Sequence, residues 1–540
     1  MDPRYDHIKS EQEAQKLWEE QQTYAFSKLK TKEIFSIDTP PPTVSGTLHI
    51  GHVFSYTHAD IIARYKRMQN YNVFYPMGFD DNGLATERFV EKKNKTKSHL
   101  MKRSDFIALC LKEVAEAEEQ FIKLWKSIGL SVDWNHVYTT ISDPVKKISQ
   151  YSFLELYKKN YVYRQHEPAL YCTTCRTSVA QAEIDNIEVS STFNDIEFQT
   201  EDGQKLIIAT TRPELLPACV AIFYHPEDTR YIHLHGKFAI TPVFNKKVPI
   251  LPDAKVTPEK GSGLVMCCTF GDQTDVYWYK MHKLPFIQVV GFDGKWTKEA
   301  GILEGLTVHD ARKKTIELLT QAGKLLSQKA ITHAVNAHER CKNEIEYLIL
   351  SQWFIKILEH KEKFLELANK INWKPAFMQA RYRDWVEHLN WDWCISRQLS
   401  AGIPFPAWHC QDCDHIIFAQ VQDLPVDPRE QACPESICPK CSSTNIRPDT
   451  DIMDTWNTSA LTPQINIGWP DHINPEEAWP TIPMSMRPQA HDIIRTWAFY
   501  TIIKAYYHHD KLPWENIVIS GHVLAGKEKI SKSKGNEKMT

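Results

Sequence analysis

Two histidines, two lysines and two sets of sulfur ligands are the side chains of this 540-residue sequence whose spacing carries chemistry. Thr47-Leu48-His49-Ile50-Gly51-His52 lies where a strand pattern passes into a helix pattern. His49 and His52 are three apart, so in a first helical turn their imidazoles project to one face. A helix N-terminus already favours anions through free N–H groups and its dipole. Two imidazoles there can donate hydrogen bonds to phosphoryl oxygens whose charge grows in a transition state, and Gly51 leaves room for a nucleotide. The competing reading is a pair of surface or metal-binding histidines. Far along the chain, Lys529-Ile530-Ser531-Lys532-Ser533-Lys534-Gly535 sets Lys529 and Lys532 three apart in a Ser- and Gly-bearing loop. They can track a pyrophosphate as mobile point charges, or form an ordinary solvated lysine tract.

Cys410-x-x-Cys413 followed by Cys438-x-x-Cys441 has the two-knuckle spacing of a tetrahedral zinc site, and Cys433 breaks that rhythm. Cys172-x-x-Cys175 finds its best partners in His338 and Cys341, a knuckle in which His replaces one Cys. Four protein ligands leave no open position, so two structural zinc ions are expected and neither is catalytic. Thirteen cysteines cannot all pair as disulfides, and clusters of this kind read better as metal ligands in a reducing cytosol. Cys267-Cys268 reads as part of a strand.

These groups need elements to hold them. Ile34 to Asp38 is a short strand pattern stopped by Pro40-Pro41-Pro42; a small-residue turn follows and opens a helix in which Ile61, Ile62, Tyr65 and Met68 recur at helical spacing. Asn72 to Pro76 reads as a second strand, ending at Gly78-Phe79-Asp80-Asp81-Asn82-Gly83. Strand, helix, strand is a βαβ unit, and its Pro- and Gly-rich turn belongs at a ligand site. From about 190 to 328 strand-like runs (Lys205–Ala209, Val220–Tyr224, Phe286–Val290) alternate with turns, as in a separate β-rich insert. Helical patterns are expected around 350–400 and over Asp492–Tyr507, with a strand at Ile517-Val518-Ile519. The length suggests roughly three to four domains. With 64 basic against 67 acidic side chains, a nucleic-acid partner would have to be met by local basic patches. No stretch approaches the ~20 apolar residues of a spanning helix, and the polar N-terminal segment has no apolar export core, so the expectation is a cytoplasmic protein without membrane contact.

Together, the H-I-G-H stretch and the later K-x-S-K-S form the paired mark of the class I aminoacyl-tRNA synthetases, which this sequence resembles over essentially its whole length. The stretches Pro40–Gly46, Met77–Leu84, Asp454-Thr455-Trp456 and Arg487–Trp497 are similar to the valyl-tRNA synthetases, closer to their archaeal-type branch. Ala85 departs from the proline expected there. The resemblance implies an α/β fold: a Rossmann-like catalytic domain split by a long insertion with a β-rich editing domain and zinc-binding modules. Its expected parts are an N-terminal catalytic half (1–165), a first zinc knuckle and linker (166–190), the editing domain (191–328), a return linker with the second knuckle and a helical segment (329–400), a four-cysteine zinc module (401–448) and the second catalytic half (449–540). Family members continue into an anticodon-binding domain, which the sequence does not supply, so a truncated chain is expected.

The implied activity is valine activation with ATP, passage of valine to its tRNA, and hydrolytic editing. By resemblance Asp80 meets the substrate ammonium, while Pro41, Pro42, Trp456, Ile493 and Trp497 form a narrow apolar cup. His49, His52, Lys529 and Lys532 stabilise phosphoryl charge, with Gly51 and Asp492 on the nucleotide and magnesium accompanying ATP. An apolar pocket rejects an added hydroxyl poorly, and valine against threonine is a standard illustration of that limit, so a second hydrolytic site is expected. Thr210-Thr211-Arg212-Pro213-Glu214 is similar to the threonine-rich strand of editing domains, and Asp275 matches their carboxylate for the misattached amino acid. Cys394-Ile395-Ser396-Arg397-Gln398 resembles a family hinge rather than a thiol nucleophile. ATP, L-valine and tRNA(Val) are the expected partners of a monomer. Isoleucyl specificity, or a tRNA-binding or editing remnant that does not charge tRNA, are the alternatives.

Overall fold

The computed structural model describes residues 5–46, 48–471, 474–526 and 528–529. The chain divides into two compact units, Met1–Tyr163 with Trp353–Thr540, and Arg164–Gln352.

The first unit is built on parallel strands. Ile34–Ser36 pairs with Asn72–Phe74, and Trp514–Ser520 lies between Met484–Ala490 and Asn372–Lys374. A parallel bridge from Ile37 to Met486 joins the two sets, with Asp38 N–H donating to the Met486 carbonyl at 2.9 Å. The spatial order is therefore 72–74, 34–36, 484–490, 514–520, 372–374. The central strand Met484–Ala490 is buried along most of its length, whereas the edge strand Asn372–Lys374 buries only Trp373. Ile37, Val73, Met77, Phe79 and Trp125 are buried in one core cluster, and Trp125 stacks on Tyr56 of the helix Ile50–Met68 at 4.5 Å.

That helix leads from 34–36 to 72–74, whereas Phe499–His509 leads from 484–490 outward to 514–520 in the opposite sense. Strand order reverses between 34–36 and 484–490, and the carboxyl ends of strands at such a switch point open the crevice where α/β sheets hold ligands. The expected helix over Asp492–Tyr507 is broken into three pieces: a 3-10 turn His491–Ile493, a π turn Ile494–Ala498 and the α-helix proper. π turns cluster at functional sites because one extra residue re-aims a side chain, here Trp497. The 350–400 region begins not in a helix but in the strand Glu346–Ile355, and its helices are Lys361–Lys370 and Gln379–Glu387.

The second unit carries a seven-stranded sheet in the order 264–268, 219–224, 247–252, 238–240, 184–200, 325–338, with 205–210 also on 184–200. All pairings are antiparallel except 247–252 with 219–224. The strand expected at Phe286–Val290 does not join it; only Val290 makes a bridge, to Trp296. Side chains replace the ladder there: the Thr269 hydroxyl accepts from Ile287 N–H and donates to its carbonyl, and the Thr297 hydroxyl donates to Gln288 O. Among the described residues no helix is long and apolar enough to cross a membrane.

Candidate active site

At the carboxyl end of 34–36 the chain runs through Thr39-Pro40-Pro41-Pro42 and enters the helix Ile50–Met68 at His49. His49 is the N-cap: its Nδ1 accepts from Gly51 N–H at 3.1 Å, while His49 N–H donates to Nδ1 of His52 at 3.3 Å. The two rings lie 4.1 Å apart. This reciprocal capping decides the tautomer, since an Nδ1 that accepts a hydrogen bond leaves the ring hydrogen on Nε2. A Cβ at position 51 would meet the His49 ring at 2.9 Å, so Gly51 is what lets the imidazole fold back over the turn.

Asp80 follows the short strand Met77–Phe79 and is buried. Its backbone N–H donates to Pro42 O at 3.0 Å and its carbonyl accepts Val44 N–H at 2.9 Å, which sets the proline turn beside it. The hydroxyls of Thr140 and Thr455 donate to Oδ1 at 3.0 and 3.1 Å, and that of Ser459 to Oδ2 at 3.2 Å. All three donors are neutral hydroxyls, so no cation among these partners offsets a carboxylate's charge. At the neighbouring carboxyl, burial, and then the charge of Glu118, push Asp81 well above the usual range.

Trp456 and Trp497 meet edge to face at 5.9 Å. The Trp497 indole donates to Ser459 O at 2.9 Å, and Trp456 rides on a short helix capped by Asp454, whose Oδ1 accepts Trp456 N–H. Asp454 is held in turn by the Trp393 indole at 3.0 Å and by Arg397 at 3.1 Å. Pro41 and Pro42 are buried, and Ile493 is half-buried one turn before Trp497. The structure thus gathers Pro42, Asp80, Trp456 and Trp497 through shared hydrogen-bond partners. Asp492 is exposed at the carboxyl end of 484–490, next to His491, whose ring lies 3.8 Å from that of His522 at a tilt of 55°. The backbone of Glu528–Lys529 pairs with Leu524–Ala525. The Lys529 side chain and all of Lys532 lie outside the described residues.

Both cysteine sets converge. Cys172, Cys175, His338 and Cys341 bring their ligand atoms within 4.8 Å of one another, as do Cys410, Cys413, Cys438 and Cys441. The Cys172–Cys341, Cys410–Cys441 and Cys413–Cys438 sulfur pairs are 3.5, 3.5 and 3.6 Å apart. Zn–S bonds of about 2.3 Å in a tetrahedron demand edges of about 3.8 Å, so these donor sets fit zinc. Each knuckle closes the same way: Arg176, Lys342, Asp414 and Ser442, the residues after the second ligands, all take φ between 56° and 59°.

The sequence matches, over residues 13–539, the family described as "tRNA synthetases class I (I, L, M and V)". The chain belongs to the class I tRNA synthetases. It is 49% identical over 542 residues to a valine–tRNA ligase of Rickettsia conorii and 46% identical over 553 residues to one of Anaplasma marginale. These matches take in 98% and 99% of this chain but 66% of each relative, so the chain spans a little less than two thirds of their length. A crystal structure of a LeuRS–tRNA–LeuAMS ternary complex from Agrobacterium radiobacter shares the fold at TM-score 0.54 and 19% identity, covering 99% of this chain and 70% of that one.

In the second unit of this class I synthetase, Thr210 ends the strand Lys205–Thr210, and its hydroxyl accepts Arg212 N–H at 3.0 Å. Arg212 is fully engaged: Nε reaches Glu214 at 3.1 Å, and Nη1 and Nη2 grip Glu346 at 3.0 and 2.9 Å. Arg312 closes on Glu214 from the other side at 3.0 and 2.9 Å. Arg212 and Glu214 are therefore framework for the turn after Thr210 and Thr211. Asp275, near the start of the helix Gln273–His282, is buried and accepts Gly271 N–H at 2.7 Å; burial lifts its carboxyl well above the usual range.

Sequence reasoning missed Thr140, Ser459 and the Asp38–Arg487 ion pair, each lying far from its partner in the chain. Asp454 carried a signal, since an acidic residue before a short helix is a capping pattern. A further group has the connectivity of an acyl-transfer relay, Ser152 Oγ to His508 Nε2 at 2.8 Å and His508 Nδ1 to Glu155 at 2.6 Å. Ser152 is buried, Lys504 also donates to its hydroxyl at 3.1 Å, and burial lowers Lys504 to about 7 and His508 to about 4. No substrate can reach such a serine.

Proposed function

We propose that this chain carries the activating and editing sites of a valine–tRNA ligase. The observation that carries the reading is Asp80, a buried carboxylate held by three hydroxyls beside the Trp456–Trp497 corner at the switch point of a parallel sheet. Such a site suits a small apolar amino acid: Asp80 takes the ammonium, and Pro41, Pro42, Trp456, Ile493 and Trp497 enclose the side chain. Adding a methylene to the ligand then meets indole rather than open space, which is worth about 10–200-fold in discrimination.

With valine so held, its carboxylate oxygen attacks the α-phosphorus of ATP, forming an O–P bond as the bond to pyrophosphate breaks. Magnesium arrives with ATP as part of the substrate. The Nε2–H groups of His49 and His52 donate to the phosphoryl oxygens as charge grows on them, and Lys529 and Lys532 follow the departing pyrophosphate. Gly51 allows close approach of the nucleotide, and Asp492 binds its ribose. Catalysis by such groups is electrostatic and positional. A hydroxyl of the terminal ribose of tRNA(Val) then attacks the carbonyl carbon of the adenylate, forming the ester as the anhydride C–O bond breaks; AMP leaves, its phosphate taking the hydroxyl proton, and the enzyme acts as a monomer. The two knuckle clusters hold structural zinc.

The second unit supplies the editing site. Water attacks the ester carbonyl of misformed Thr-tRNA(Val), the bond to the ribose oxygen breaks, and the proton passes to that oxygen. Thr210 and Thr211 polarise and position the ester, Arg212 and Glu214 brace the turn, and Asp275 meets the threonine ammonium. An incoming cation favours the ionised form of this raised carboxyl. Valine-dependent exchange of pyrophosphate into ATP tests the reading: exchange with valine, and far less with isoleucine, is expected. Exchange driven equally by both, or by neither, overturns it.

A further inference from the structure

Beneath the amino-acid cup lies a charge pair that nothing in the proposed chemistry uses. Asp38 and Arg487 form an ion pair in which both side chains are 0% exposed. The Trp514 indole donates to the same Asp38 oxygen at 2.7 Å, and Arg487 Nη1 also donates to the Thr462 hydroxyl at 3.2 Å. Arg487 Nε and Nη2 have no hydrogen-bond partner among the described residues. The guanidinium instead lies over two indoles, 4.6 Å from the Trp497 ring and 4.8 Å from the Trp514 ring.

A buried ion pair adds little net stability over apolar residues of similar volume, so stability alone does not account for it. Its geometry does something an apolar pair could not. Trp497 is pinned at its indole nitrogen by Ser459 O and on its face by a planar cation. Two anchors fix both the position and the tilt of the ring, and the tilt sets the edge-to-face meeting with Trp456. Guanidinium suits this role because it is flat, permanently charged and weakly hydrated.

We propose that Arg487, neutralised by Asp38, is a positioning residue that holds Trp497 at the angle which sets the width of the amino-acid pocket. This deepens the valine-activating reading and rests on it. The informative variant is the double substitution Asp38→Asn with Arg487→Met, because removing Arg487 alone strands a buried charge. It is compared with Arg487→Lys, which keeps the charge but not the flat face.

In pyrophosphate exchange the double variant is expected to raise the valine KM by about tenfold or more, with a much smaller change in kcat, an unchanged ATP KM and a matching rise in isoleucine use relative to valine. Arg487→Lys is expected to share the defect. A melting temperature close to wild type separates this from general loosening. Wild-type valine KM and discrimination in the double variant would overturn the proposal, as would a fall in kcat and a rise in the ATP KM that accompany a loss of stability. If the wild-type chain shows no valine-dependent exchange, the activating reading fails by itself. The positioning role is then decided by ¹⁹F NMR of 5-fluorotryptophan-labelled protein, with the Trp497 signal assigned through Trp497→Phe. A displaced Trp497 signal in the double variant sustains the proposal, and an unmoved one overturns it.

Discussion

The hydroxyl of Ser459 donates to Oδ2 of Asp80 at 3.2 Å, while the carbonyl of the same Ser459 accepts the Trp497 indole at 2.9 Å. One residue thus ties the carboxylate to the aromatic wall, so that charge and shape in the cup are set together. Asp80→Asn should keep the fold, because the amide oxygen still accepts the Thr140 and Thr455 hydroxyls, while the Ser459 hydroxyl can donate to Thr455 O at 3.1 Å and accept from the new amide nitrogen. It removes the charge offered to an ammonium, and a loss of about 3 kcal/mol, roughly a hundredfold in valine kcat/KM, is expected in pyrophosphate exchange.

His52→Ala removes the acceptor that holds His49 N–H and, in the proposed mechanism, a donor to the phosphoryl oxygens. Exchange should fall by about 10²–10³-fold in kcat. The lost cap should cost about 1 kcal/mol, read as a small drop in melting temperature.

Glu87 gives a pH signature. Burial raises its carboxyl to about 7, against the Ala401 and Ser400 N–H groups that favour its charge. A folded-state value above the unfolded one stabilises fully below about 4.5 and is lost as pH climbs through about 7. Wild-type melting temperature should therefore fall between pH 5 and 8 by more than that of Glu87→Gln, in buffers of equal ionic strength. The difference corresponds to about 3 kcal/mol at most.

Metal release should be stoichiometric. Denaturing the protein in a zinc-sensitive dye is expected to free two equivalents per chain, one from each cluster. Cys172→Ser should lose one and Cys441→Ser the other. Chelation should expose the Cys172–Cys175 and His338–Cys341 loops to protease.

Asp275→Ala should let Thr-tRNA(Val) accumulate when full-length tRNA and threonine are supplied, while valine-dependent exchange stays near wild type. The same substitution removes a buried carboxyl whose raised value opposes folding above the ordinary carboxylate range. Any stability gain should therefore be larger at pH 8 than at pH 4.

What could be read from the sequence was what is local. The knuckles are legible because each supplies two ligands three residues apart, and His49 with His52 because one helical turn relates them. The frame of Asp80 was not, since Thr140, Thr455 and Ser459 lie 60, 375 and 379 residues away. Phe286–Val290 has the composition of a strand, yet the hydroxyls of Thr269 and Thr297 take its backbone groups, and no periodicity records that. The break at Ile494–Ala498 is equally silent, because apolar and aromatic residues run through it without a proline or glycine. For Asp80 and the cup it was family likeness, not spacing, that singled out the residues.

The bridge between Ile37 and Met486 has a consequence for synthesis. Asp38 and Arg487 are separated by 449 positions, so a ribosome adding ~5–20 residues per second finishes the second strand roughly 20–90 s after the first has emerged. Throughout that interval the nascent 34–36 strand offers an open edge, and its acidic neighbour has no counter-ion. The intervening 164–352 unit, with its own sheet and its own Cys/His cluster, can fold while the halves wait. Translation speed and chaperone cover over this window thus govern how much of the chain reaches its folded state.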